Sequence, residues 1–166
     1  MAKIFALLIA LAALLAGCSR TQSAPPGDDY FTVTLTVRAD TLLDNMHLLD
    51  REKHELVPED GVIFHAAAVR AAQGESVFDV TAREMRGAGI HLAFRTTPFL
   101  NSAYVEAINN LYEFDAGGLS GWNYLVNGEV PGVGASQHTV EPGDIIEWVF
   151  TLDLGRDIGG WDEWEM

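Results

Sequence analysis

The chain of 166 residues has one cysteine, Cys18, so no disulfide can form within it. It has little positive charge: Lys and Arg total 10 against 24 Asp and Glu, a formal charge of −14. That balance argues against nucleic acid as a partner, because a phosphate backbone needs a basic face to displace its counterions. It argues equally against the body of the protein lying on an anionic membrane through charge. There is no long hydrophobic run. The longest, Ile4 to Ala16, falls short of a comfortable membrane span. No internal repeat is present. What the chain does have is 48% apolar and 20% charged residues, enough to bury the core of one domain.

The chemistry-bearing motifs are also sparse. None of the five histidines, His47, His54, His65, His91 and His138, forms an i, i+4 pair, and none has a cysteine partner after Cys18. Asp28-Asp29, Glu59-Asp60 and Asp162-Glu163 are isolated acidic pairs outside any twelve-residue calcium loop. Ser120 lies in Leu-Ser-Gly-Trp, which is not a nucleophile elbow. Gly132-Val133-Gly134 does not sit between a strand and a helix, so it is no nucleotide fingerprint. The expectation is a protein with no catalytic residues, no metal and no cofactor.

The N-terminus carries the most specific signal. Lys3 precedes the apolar run Ile4–Ala16, which ends Leu15-Ala16-Gly17-Cys18. A charged start, an apolar stretch and small residues form a signal peptide over 1–17. Small residues directly before a cysteine resemble the bacterial lipobox, in which the cysteine is lipidated after cleavage. Cys18 is thus the expected lipidation site, and the protein is expected to be extracytoplasmic, anchored to the cell membrane. Ser19 follows the cysteine where an Asp would favour inner-membrane retention in a diderm host. Loss of Lys3 with the signal takes the mature charge to −15. Residues 18–29, rich in Ser, Pro and Gly, read as a lipidated tether.

Residues 30–154 read as the folded domain and 155–166 as an acidic tail with Trp161 and Trp164. Phe31, Val33, Leu35 and Val37 alternate with threonines over Tyr30–Arg38, the pattern of a half-buried strand. Short helical turns are expected near Asp40–Asn45 and before Pro58, and a strand at Val62–Phe64 that could continue through Val69. Glu75 or Ser76 can cap a helix that Gly87 or Gly89 would end. Ile90–Phe94 is a short strand, Asn109-Asn110 a tight bend, and Asn127-Gly128 a strong hairpin signal. Glu141-Pro142-Gly143-Asp144 is a turn ahead of the strand Ile145–Leu152. The order fits an α+β fold, a β-grasp-like sheet with one packed helix.

Aromatic and loop residues offer the only candidate ligand surface. Trp122, Tyr124 and Tyr112 lie near predicted turns, and the loop from Gly128 through Gly134, Ala135 and Ser136 supplies glycines where backbone can come close to a ligand. Such a surface suits a neutral, flat, amide-bearing molecule. Each residue could equally be core or turn framework.

From Gly121-Trp122-Asn123-Tyr124-Leu125-Val126-Asn127-Gly128-Glu129-Val130-Pro131, through Gly134-Ala135-Ser136, to Val140-Glu141-Pro142-Gly143-Asp144-Ile145-Ile146-Glu147-Trp148, the chain resembles the transcobalamin-like C-terminal domain family. Gly74–Val80 resembles the family's helix start, and Ile108–Phe114 its middle hairpin. The family is similar to the small β-domain of transcobalamin and intrinsic factor. The resemblance implies a small β-rich domain on a bacterial surface, often a lipoprotein, and more loosely corrinoid binding. In the cobalamin carriers a helical domain supplies the other side of the ligand site, so this domain would cover one face. His138 stands where the family commonly has an aromatic residue. On this reading Trp122, Tyr124, Tyr112, Asn127, Gly134, Ala135 and Ser136 form the ligand face. The partners are then a small molecule such as a cobalamin-like corrinoid and a membrane importer. The alternative is a structural or adhesive envelope protein that binds another protein or polymer through a sheet edge or the Trp161/Trp164 tail.

The lipid anchor gives a direct prediction. In a bacterial host fed a clickable palmitate analogue, the wild-type chain should be labelled and should sediment with membranes. Cys18→Ala should lose the label and the membrane association, since each buried methylene of the lost acyl chains contributed about 0.8 kcal/mol. Equal labelling of both proteins would rule out Cys18 as the anchor.

Overall fold

A computed structural model describes residues 30–97 and 102–159. The signal segment, Cys18, the tether and Trp161/Trp164 lie outside the described residues. The fold is α+β and dominated by sheet, with one main helix. Strand β1 spans Tyr30–Arg38, β2 Val62–Ala72, α1 Val77–Ala88, β3 Leu92–Thr97, β4 Ser102–Ile108, β5 Leu111–Tyr112, β6 Gly121–Val126 and β7 Ile145–Thr151. A single sheet was expected; the strands form two. One is four-stranded in the order β2-β1-β7-β6, the other three-stranded in the order β3-β4-β5.

β1 is central in the larger sheet. It pairs antiparallel with β2 and parallel with β7. Its alternation places Val33, Leu35 and Val37 on the buried face, nearly without exposure. β7 sets Ile146 beside Leu35 and Trp148 beside Val37. Antiparallel β6 then sets Val126, Tyr124 and Trp122 beside Ile146, Trp148 and Phe150. One face of the sheet is thereby a continuous apolar surface with four aromatic rings.

β2 explains why its sequence pattern was hard to read. Val33 pairs with Val69 but Leu35 pairs with Ala66, so β2 carries one extra residue opposite Thr34. A bulge of this kind reverses which alternate residues face the core. Before it Phe64 and Ala66 are the partners of core residues; after it Val69 and Ala71 are.

The helix forms where its caps predict. Ser76 Oγ accepts from the Asp79 amide at 3.1 Å, and Asp79 Oδ2 accepts from the Ser76 amide at 3.0 Å, a complete capping box. Gly89 ends the helix in the left-handed conformation, φ +70°. Val77, Val80 and Met85 are fully buried. Thr81 shares their face because Trp148 Nε1 donates to its hydroxyl at 2.8 Å, and that hydroxyl donates to the Val77 carbonyl at 2.7 Å.

Two turn expectations are modified. Asn109 and Asn110 both take positive φ and join β4 to β5, but β5 ends at Tyr112. Asn127-Gly128 makes its tight turn, yet only one bridge follows, Val126 with Glu129. The strand that pairs with β6 is β7, reached after the loop 127–144. The domain also runs past 154: Asp157, in a short helical turn at Arg156–Ile158, accepts from the Thr151 hydroxyl and from the Leu152 amide. Among the described residues no helix is long and apolar enough to cross a membrane.

The capping box should be measurable. Ser76→Ala removes one acceptor for the helix's first turn and should destabilise the protein by about 0.5–2 kcal/mol in urea unfolding. An unchanged midpoint would show that the loop alone holds the helix start.

Candidate functional site

The loop 127–144 between β6 and β7 builds one wall of a cleft, and its sequence explains how. Asn127, φ +55°, donates through Nδ2 to Asp144 Oδ1 at 2.9 Å and accepts at Oδ1 from the Ile145 amide at 3.0 Å. Asp144, buried, accepts at Oδ2 from the Glu141 amide at 2.8 Å. The Gly143 amide donates to Thr32 O and the Thr34 amide to Asp144 O, at 2.9 and 2.8 Å, which stitches the loop to β1. Its far end is stitched to the helix: the Val77 and Phe78 amides donate to the His138 and Ala135 carbonyls at 2.9 and 3.0 Å. The helix N-terminus is therefore occupied by the loop's own carbonyls.

Gly134 is where the loop meets β4. A Cβ there would lie 1.8 Å from Ser102 Oγ and 2.8 Å from Ser102 Cβ, so only glycine permits this approach. Ser136 completes the junction by accepting from the Ala103 amide at 2.9 Å.

Between this loop, β4 and the aromatic face of the larger sheet lies an open cleft of about 360 Å³. Its floor is Trp122, Tyr124 and Trp148, and its walls include Tyr104, Val133 and the Pro131-Gly132 backbone. Each floor residue is fixed by one hydrogen bond. Trp122 Nε1 donates to Leu111 O at 2.8 Å, Tyr124 Oη to Val133 O at 2.6 Å, and Trp148 Nε1 to the Thr81 hydroxyl. The Tyr124 and Trp148 rings lie 5.5 Å apart at 37°, and Trp122 meets Phe150 edge-on at 5.3 Å. Among the described residues no Asp, Glu, Lys or Arg lines the cleft, in a chain of formal charge −14. An uncharged aromatic floor with a few backbone and side-chain polar groups suits a neutral flat ligand.

The structure brings together four of the residues chosen from sequence: Trp122, Tyr124, Gly134 and Ala135 all line the cleft. Ser136 supports its wall from behind. Asn127 lies instead in a neighbouring polar depression with Glu129, His138 and Glu141, and its side chain is committed to the turn. Tyr112 does not join the cleft. It sits on β5, 40% exposed, with His91 at 5.8 Å between ring centroids and Lys53 Nζ 5.8 Å from its own. Tyr104, Trp148 and Val133 were not identified from sequence. Trp148 lies in the expected strand Ile145–Leu152, but no local signal says that it shares a cleft with residues of β4. Among the described residues no group of three or more His, Cys, Asp or Glu is placed to hold a metal ion.

Two cleft tyrosines resist ionisation. Burial pushes the Tyr124 phenol up to about 12. Tyr104 is also pushed up to about 12, by burial first and then by its hydrogen bond to Glu113 and that carboxylate's charge.

A small α+β domain with a neutral aromatic cleft between two sheets and a glycine-shaped loop is the class that fold and site define. Residues 74–151, from the turn before α1 to the end of β7, match the family described as a domain of unknown function (DUF4430). Haptocorrin, solved in complex with Cbi, is similar in fold, with a TM-score of 0.56 over 81% of this chain at 15% identity. The match covers 28% of haptocorrin, so the chain spans little more than a quarter of that protein's length. The chain's fold is thus like that of a transcobalamin-family protein, as the sequence resemblance implied. A candidate metal-binding protein from Ruminococcus gnavus ATCC 29149 matches 73% of this chain and 96% of its own at 11% identity, with a TM-score of 0.44, too low to support an argument. No curated protein sequence matches the chain.

The tyrosines give the prediction for this site. A phenol whose pKa is raised in the folded state holds its proton more tightly there than when unfolded. The stability this contributes is complete below pH 10 and is lost as pH rises from 10 to 12. Absorbance at 295 nm should show two of the four tyrosines ionising near pH 12 in the native protein, or only on alkaline unfolding. Titration of all four together near pH 10 would contradict the buried hydroxyls.

Proposed function

We propose that this protein is a membrane-anchored extracytoplasmic lipoprotein that binds a small neutral molecule, a corrinoid of the cobalamin type, and passes it to a membrane importer. The observation that carries the reading is the uncharged aromatic cleft over Trp122, Tyr124 and Trp148. Three further features support it. The fold is similar to that of haptocorrin, whose structure was solved with the corrinoid Cbi. The cleft is open, which fits a site that covers one side of a flat ligand and leaves the other to a partner. The sequence before Tyr30 has the signal and Cys18 of a lipoprotein. We assign the larger sheet and α1 to the β-grasp type, an assignment supported by the parallel pairing of the first and last strands at the sheet's centre.

Binding on this reading is non-covalent and needs no catalytic group. Each floor ring is held by a hydrogen bond, Trp122 and Trp148 to the core and Tyr124 to the loop wall, so the surface is formed before the ligand arrives and little conformational entropy is lost on binding. The ligand's flat apolar area replaces water over Tyr104, Val133 and the exposed edges of the floor rings, while the exposed backbone of Gly132 and neighbouring polar side chains meet its amide groups.

The test is a fluorescence titration of the purified chain with cobinamide and cobalamin, using Trp122 and Trp148 as reporters. Saturable quenching at micromolar ligand is expected, and Trp122→Ala should weaken it by about tenfold or more. A linear response at all concentrations in the wild type would rule out stand-alone corrinoid binding.

A further inference from the structure

Of the cleft's aromatic residues, Trp122 and Trp148 are fixed from within the core and Tyr124 by the loop wall. The fourth, Tyr104, is held in a different way. It lies on β4 at the cleft's edge and is 39% exposed. Its hydroxyl donates to Glu113 Oε2. The Arg95 guanidinium covers its ring, 4.3 Å from the centroid. Arg95 is directly opposite Tyr104 on β3 and is itself ion-paired with Glu106 and, at 3.1 Å, with Glu113. These four residues come from three consecutive segments of chain: Arg95 from β3, Tyr104 and Glu106 from β4, and Glu113 just after β5.

The arrangement has two consequences. First, the ring that borders the cleft mouth is oriented by one hydrogen bond and one stacked cation, and both end on Glu113. Second, the clamp is exposed, whereas the floor is not. Arg95 is half exposed, so its pairs are open to screening by salt, while the bonds of Trp122, Tyr124 and Trp148 are not. Among the described residues the smaller sheet contributes nothing charged to the cleft lining, so its charges act there through the position of Tyr104.

We propose that Tyr104 is a specificity-determining residue of the cleft, and that Arg95 and Glu113 are its positioning residues. This rests on the cleft being the ligand site. The ring limits what can slide past the mouth and provides a fourth aromatic surface for a flat ligand. The clamp keeps it at the angle that makes this surface available, and a ligand that needs more room must displace the ring against the clamp. Discrimination between a ligand and a bulkier analogue is therefore set by residues that need not touch either one.

The experiment compares the wild-type chain with Tyr104→Ala, Tyr104→Phe and Arg95→Gln. Cobinamide and the bulkier cobalamin serve as probes, read by tryptophan fluorescence at low and high salt. Tyr104→Ala should weaken cobinamide by about tenfold and reduce the preference between the two probes. Tyr104→Phe keeps the ring and its stacking, so it should retain most of the affinity. Arg95→Gln should weaken cobinamide by about threefold to tenfold at low salt. High salt should weaken the wild type towards the level of that variant while leaving the variant nearly unchanged. A purely structural role for Arg95 would give a loss independent of salt, and urea unfolding of each variant separates the two. If the wild type binds and Tyr104→Ala binds both probes as well as it does, the inference falls and the binding reading stands. If the wild type shows no saturable binding of either probe, both fall.

Discussion

The parallel pairing of β1 with β7 is the constraint on which the rest depends. Two parallel neighbours cannot be joined by a hairpin, so the chain between Arg38 and Ile145 adds β2 and β6 at the edges of the sheet and must cross it before β7 returns to the centre. The intervening chain covers the sheet's apolar face on the way. α1 does so over Trp148, and the smaller sheet does so near Trp122, whose indole donates to Leu111 O. The cleft is the gap left between those two covers. It is aromatic because β6 and β7 align Trp122, Tyr124, Trp148 and Phe150 on one face, and it is open because the helix and β4 do not meet over them.

The loop between β6 and β7 shows how a connection becomes a wall. Its polar residues are spent on the fold: Asn127 and Asp144 on each other, the His138 and Ala135 carbonyls on the helix start, Ser136 on β4. What remains facing the cleft from the loop is apolar side chain, backbone and the uncharged Gln137. This is why an acidic protein has an uncharged site. Asp144 is buried in the turn, and Glu106 and Glu113, near Tyr104, share the single guanidinium of Arg95.

Local elements were legible where one physical rule acted alone. The β1 alternation, the Ser76–Asp79 box, the Gly89 cap and the turns at Asn109-Asn110 and Asn127-Gly128 all appear as the residues dictate. β2 was legible only in part, because a bulge opposite Thr34 reverses its alternation, and a bulge is a property of two strands. The division into two sheets was not legible, since short antiparallel strands such as β3 to β5 carry the same pattern in either arrangement. Four of the cleft's lining residues, Trp122, Tyr124, Gly134 and Ala135, were found through the family resemblance and the loop glycines. Asn127 and Tyr112 had the right composition for a ligand surface, but one is absorbed in a turn and the other faces another patch.

By itself the sequence determined the class of fold, the places where the chain turns and the lack of a basic face. These follow from periodicity, capping and charge, which act over a few residues or over the whole composition. Only the tertiary structure decided that Trp148 and Tyr104 belong with Trp122 and Tyr124. It also decided that Gly134 is there to let the loop reach Ser102, and that the site carries no charge. Those depend on which strands cross which, and the register that places β4 beside the aromatic face is fixed by burial of the whole sheet rather than by any segment of it.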